Sequence, residues 1–184
     1  MRSAPRGPEF RELSIVIVFV PSTLAAAAHL RSSGSVRGVV GYAPNPELRH
    51  LLGDEQLGAE ELDYVALNHA GTAALASGEG TAGENGTRVV LAVDVSAGSA
   101  DSLGAVTLNE FSWTQVRSLF ADESAAASAV DRARTAVRGL DLVQALLAPE
   151  VAELDDTYDL LWFAPDELDD LIAAAHGRQR NQAD

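Results

Sequence analysis

The stretch YDLLWFAPDELDDLI, residues 158–172, reads as a strand, a proline stop and an acid-capped helix. Leu160, Leu161, Trp162 and Phe163 form an unbroken apolar run, the pattern of a strand covered on both faces, so Trp162 is expected in the core. Pro165 cannot continue a hydrogen-bonded ladder, and Asp166 and Glu167 suit the positive end of a new helix. Leu168, Leu171 and Ile172 follow at i, i+3 and i+4 and give that helix one apolar stripe. The same plan occurs in GYAPNPELRHLL, residues 41–52. There Tyr42-Ala43-Pro44 matches Phe163-Ala164-Pro165, and Glu47-Leu48 matches Glu167-Leu168 with one residue inserted. A third strand–proline–helix junction stands at Pro21. The expected fold is α+β, a single domain with a mixed β-sheet of about five or six strands and helices packed mainly on one face.

Outward from that unit, residues 1–12 (MRSAPRGPEFRE) are polar and broken by Pro5, Gly7 and Pro8, and read as a disordered extension or a cloning scar. Arg2, Arg6 and Arg11 ahead of the apolar run Leu13–Val20 imitate a secretory signal. Glu9 and Glu12 dilute that charge and the run is short and β-branched, so a first strand is the better reading. Pro21 ends it, and Ser22 or Thr23 caps a helix closed at Gly34. Val39–Tyr42 reads as a short second strand. Gly58–Ser77 is the clearest helix, with acids in its first turn and Leu62, Val65, Ala66, His69 and Ala73 on its apolar face. Gly78–Thr87 reads as a flexible loop.

Arg88–Val95 and Ala105–Phe111 read as the strands of a hairpin with a long loop. Trp113–Phe120 fits a helix or a strand. A turn over Ser112–Gln115 followed by a strand is preferred, with Asp122 capping an alanine-rich helix to Val137. Asp141–Ala148 reads as a short helix stopped by Pro149, Glu150–Thr157 as an acidic connection, and residues 177–184 as a disordered tail. The domain is therefore placed at residues 13–176.

A chain of 184 residues is long enough for one sizeable core, burying about 70% of the surface its unfolded form exposes. Its net charge is −14, and all 13 basic residues are arginine. Such acidity repels phosphate backbones and argues against nucleic-acid binding. No apolar run approaches the roughly 18 residues needed to span a bilayer, which argues against a membrane partner. The absence of cysteine excludes disulfides, thiolate metal sites and cysteine nucleophiles, and suits a cytoplasmic location. The acids are unevenly spread: residues 139–177 hold ten Asp or Glu and no Arg, whereas residues 1–50 hold six Arg and three Glu.

VFVPSTLAA, EELDYVALNHA, RVVLAVDV, SWTQVRSLFADE and LLWFAPDEL, in that order across about Val18 to Ile172, resemble a family of small actinobacterial domains of unknown function. The resemblance implies that the domain starts near the first strand. It implies no catalytic residues, because the family has none assigned.

The chemistry-bearing residues support two readings. The four histidines are His29, His50, His69 and His176, and no serine stands in a GxSxG elbow, so a hydrolytic triad is disfavoured. No HxxxH or HExxH spacing marks a zinc site, and neither a metal nor a cofactor is expected. His69 reads as a buried neutral imidazole or as a pocket residue, with Tyr64 and Trp162 as neighbours in the second case. Asp166, Asp169 and Asp170 read as a solvated acidic face on the last helix. The favoured function is a non-enzymatic protein-interaction or regulatory module whose acidic C-terminal face meets a basic protein partner. The alternative is a small-molecule-binding protein or enzyme with a pocket near Tyr64, His69 and Trp162.

Overall fold

The computed structural model describes residues 15–53, 56–77, 87–96 and 101–182. In chain order these form β1 (Ile15–Ser22), α1 (Leu24–Ser33), β2 (Ser35–Tyr42), α2 (Pro46–Leu52), α3 (Ala59–Ala76), β3 (Val89–Ser96) and β4 (Ala105–Ser112). After a 3-10 turn (Trp113–Gln115) come β5 (Val116–Asp122), α4 (Ala127–Val137), α5 (Leu142–Leu146), α6 (Pro149–Thr157), β6 (Leu160–Phe163) and α7 (Leu168–Gln182). Local chemistry places most boundaries where the sequence signals them. Thr23 accepts from Ala26 N at 3.0 Å to open α1, and Asn45 accepts from Leu48 N at 2.6 Å to open α2. Turn and strand stand at 113–122 as preferred. The expectations for residues 1–12, and for Gly78 to Gly86 of the loop, fall outside the described residues. The last helix continues to Gln182, into the stretch read as a tail.

One six-stranded sheet in the order β4-β2-β1-β3-β5-β6 organises the α+β domain. Two particulars, the strand directions and the placing of the helices, differ from the sequence reading. The sheet is not mixed, since all five described pairings are antiparallel. The long ladder of β2 is with β4, and it meets β1 at a single bridge, Phe19 to Tyr42, so the helix between β1 and β2 does not make them parallel neighbours. Helices cover both faces rather than mainly one. Leu24, Ala27 and Leu30 of α1 and Leu168 and Ala175 of α7 join Val18, Val20, Leu91 and Val93 in one core. Leu48 of α2 and Leu62, Ala66 and Ala70 of α3 join Phe19, Val90 and Ala92 in another. A third cluster ties α4, α5 and α6 to Leu75 at the end of α3.

The β3–β4 hairpin also does not form. β3 is almost wholly buried and needs a neighbour on each side, which β1 and β5 supply. β4 alternates buried and exposed residues and takes the far edge beside β2. Pro149, read as a stop, opens α6 at its first position, where a missing N–H costs nothing. The largest departure is β6. Among the described residues it is an edge strand paired only with β5, and Leu161 and Trp162 are 43% and 61% exposed. Leu160 and Phe163 turn inward to opposite cores. An apolar run long enough for a central strand is thus half covered, because nothing described packs beyond it.

The sheet must curl. β4 and β5 stand four positions apart in the strand order, about 19 Å in a flat sheet. The three-residue turn joining Ser112 to Val116 reaches only about 14 Å when fully extended. Val36 and Val39 of β2, three residues apart, both pack into the first core, as do Leu108 and Phe111 of β4. A regular strand would send each pair to opposite faces. Gly38, with φ +66°, supplies the change of face, and the β2–β4 ribbon folds over. Gly41 lets β2 cross β1 closely, since a Cβ there would lie 2.5 Å from Val18 Cγ1. Gln115 closes the bend by donating to the Asp94 carbonyl at 3.0 Å and accepting from Ser112 N at 2.9 Å. Space around Gly38 is open, so Gly38→Ala tests conformation alone. It is expected to cost about 1 kcal/mol, the left-handed penalty of an L-residue, in a urea unfolding curve.

Candidate interaction surface

Arg88 positions the unit formed by α6, β6 and α7. It sits just before β3, with its side chain 1% exposed between two carboxylates. Its backbone N donates to Asp122 Oδ2 at 2.7 Å, Nε donates to both Asp122 oxygens at 3.1 Å, and Nη2 donates to Asp122 Oδ1 at 2.8 Å. Nη1 donates to Asp155 on α6, and Nη2 reaches the Tyr158 carbonyl at 3.4 Å. One planar guanidinium therefore ties the start of β3, the end of β5 and the approach to β6, a geometry that lysine cannot copy. Gly71 of α3 allows Leu160 of β6 to approach closely beside Arg88, since a Cβ there would stand 3.2 Å from Leu160 Cδ1.

Burial works against the charge of Arg88, but the hydrogen bonds and charges of Asp122 and Asp155 outweigh it and strengthen its hold on the proton. Burial pushes the Asp155 carboxyl above its ordinary range, Arg88 pulls it down, and the charges of Asp122 and Asp156 add to the upward push. Sequence reading missed this cluster. Arg88 looked like a strand boundary and Asp122 like a helix cap, and Asp122 and Asp155 lie 34 and 67 residues from Arg88. The only available signal was a lone cation set directly against an apolar strand.

The α6–β6–α7 unit exposes both apolar and acidic side chains. Leu161 and Trp162 are exposed, and so are Asp156, Asp159, Asp166 and Asp170. Asp159 accepts from the Tyr64 hydroxyl at 3.2 Å. Asp169, expected with Asp166 and Asp170 on one free face, is instead held in a fork by Arg31 of α1, at 2.5 and 3.2 Å. The Arg31 hydrogen bond keeps its carboxyl below the ordinary value. Glu167 accepts from Ala164 N at 2.6 Å and caps the turn into α7.

Tyr64, His69 and Trp162 occupy different settings. Tyr64 and His69 are five residues apart on α3, about 140° around a helix. Tyr64 is half exposed. His69 is buried edge-on to Tyr42, with ring centroids 6.3 Å apart. Its Nδ1 meets the Leu103 carbonyl at 2.8 Å. A carbonyl only accepts, so Nδ1 carries the proton. Burial lowers the pKa of His69, which keeps the imidazole neutral. Trp162 stands on β6 opposite Phe120, whose ring packs edge-on to Phe19 at 6.0 Å.

A family model matches residues 16–172, from the first strand into the last helix. The chain belongs to DUF6912, a family of unknown function. No curated protein and no solved structure matches it. Among the described residues of this DUF6912 domain, no group of three or more His, Asp or Glu is placed to hold a metal ion. None of its described helices is long and apolar enough to cross a membrane.

Two substitutions separate the roles of the carboxylates that hold Arg88. Asp122→Ala leaves a buried cation short of its main partner and is expected to cost about 3–5 kcal/mol by denaturant unfolding. Asp155→Asn keeps an oxygen for Nη1 and removes a buried charge, so it should cost much less. Folding favours protonated Asp155, so its contribution is full below the unfolded pKa and fades as pH rises through the higher folded one. The stability of wild type minus that of Asp155→Asn should therefore fall as pH rises from about 4.

Proposed function

We propose that the domain is a non-enzymatic protein-interaction module whose partner docks on the α6–β6–α7 unit. The observation that carries this reading is Trp162, 61% exposed on an edge strand of a chain with only two tryptophans. Tryptophan is highly buried on average within folded domains and is enriched where binding energy concentrates between proteins. Leu161 is exposed on the opposite face of the same strand, and Asp156, Asp159, Asp166 and Asp170 are exposed acids of the α6–β6–α7 unit. The complementary partner is basic, and these charges speed encounter more than they hold the complex. A non-enzymatic role is supported by the state of the buried polar groups. Asp122 and Asp155 are occupied by Arg88, and the ring nitrogen Nδ1 of His69 by a carbonyl. A cysteine-free composition suits a reducing, cytoplasmic compartment.

Trp162→Ala should change stability by less than about 1 kcal/mol, as for a surface residue, rather than the roughly 3–5 kcal/mol of a buried aromatic. In affinity capture from native lysate, wild type should retain basic protein at low salt and release it at high salt. Trp162→Ala should lose that protein, and the Asp166→Asn, Asp170→Asn double variant should retain less of it. Identical capture by wild type and Trp162→Ala would overturn the reading.

A further inference from the structure

We infer that the partner enters as an added β-strand along the free edge of β6, with basic side chains on its α7 face and apolar ones on its Trp162 face. The inference rests on the interaction reading above and specifies its mode. Among the described residues β6 pairs only with β5, through Leu119–Phe163 to Asp122–Leu160, so the outward half of its backbone N–H and C=O groups is unpaired.

The two edges of this sheet are built differently. β4, at the opposite edge, presents Thr107, Asn109 and Glu110 to solvent, and Glu110 is tied to Arg37 at 3.1 Å and to Ser35 at 2.8 Å. Charges on an edge strand are a usual device against unwanted pairing. β6 reads Leu-Leu-Trp-Phe, with no charge, proline or glycine inside it. Its backbone is also held in place from beneath, because Arg88 grips Asp155 and reaches the Tyr158 carbonyl just ahead of it. A preorganised edge lowers the cost of ordering a bound strand.

Side-chain alternation gives the chemistry of that strand. Phe163 packs into the core shared with α7, and Leu161, two residues away, points to the same side. α7 and the turn before it carry the exposed Asp166 and Asp170 on that side. Long cationic side chains of an added strand would meet those carboxylates there. Trp162 alternates to the other side with Leu160, which packs into the α3 core, and an apolar neighbour suits it. A second copy is a poor occupant, since paired β6 edges would bring two sets of these acids together on chains of net charge −14.

The test uses the full chain and a synthetic octapeptide of alternating valine and arginine. Two comparators are an alternating valine–glutamate octapeptide and the valine–arginine peptide N-methylated on alternate residues, which blocks one backbone edge. The valine–arginine peptide should shift tryptophan emission in wild type but not in Trp162→Phe, and should slow amide exchange at residues 160–163. Its affinity should weaken by about tenfold or more at high salt. Comparable binding by the N-methylated peptide would overturn strand addition while leaving the interaction reading standing. Equal binding by the glutamate peptide would overturn the basic face, and β6 protection in a peptide-free dimer would assign the edge to a second copy. Failure of every peptide to protect β6 would also overturn the inference. Failure of the interaction reading itself is seen separately, in capture unaffected by Trp162→Ala.

Discussion

A single guanidinium between two carboxylates connects the separately built parts of this domain. Arg88 precedes the most buried strand, Asp122 ends its neighbour, and Asp155 belongs to the helix that leads to the sheet edge. Each charge alone would be expensive in that interior, and removing one partner would strand the others. The fork geometry also fixes direction, because Nε and Nη2 face one acid while Nη1 faces the other. The ladder between β5 and β6 is only four pairs long. Arg88 is therefore the main polar link between the C-terminal unit and the sheet. Hydrophobic packing supplies the rest, with Phe163 of β6 and Leu168 and Ala175 of α7 in the first core and Leu160 in the second.

The curl of the sheet is the second constraint, and it decides which surfaces remain open. Folding the β2–β4 ribbon over encloses Val106, Leu108 and Phe111 with β1, β3, α1 and α7 in one core. That closes one end of the sheet on itself. The other end cannot close in the same way, because β6 is short and the chain turns at once into α7 through Pro165. The polar edge at β4 and the apolar edge at β6 follow from this asymmetry.

Charge is divided along the chain. Among the described residues, the arginine-rich first part of the chain meets the acid-rich last part where Arg31 pairs with Asp169.

Local chemistry was legible in the sequence wherever it acts over one or two turns. The cap at Thr23, the stripe of Leu168, Leu171 and Ile172 and the turn before β5 all depend on neighbours a few residues away. The buried state of His69 was among the readings weighed, because helical spacing alone sets its face. Pairing was not legible. Whether β3 meets β4 or β5, and whether Leu160–Phe163 lies at the centre or the edge, depends on which strands compete for each side. Trp162 shows the limit most plainly. Four apolar residues mark a strand, but the number of neighbours covering it is a property of the whole sheet. The Arg88 cluster was hidden for the same reason: its members share no spacing in sequence, and only the meeting of β3, β5 and α6 brings one cation and two carboxylates within hydrogen-bonding reach.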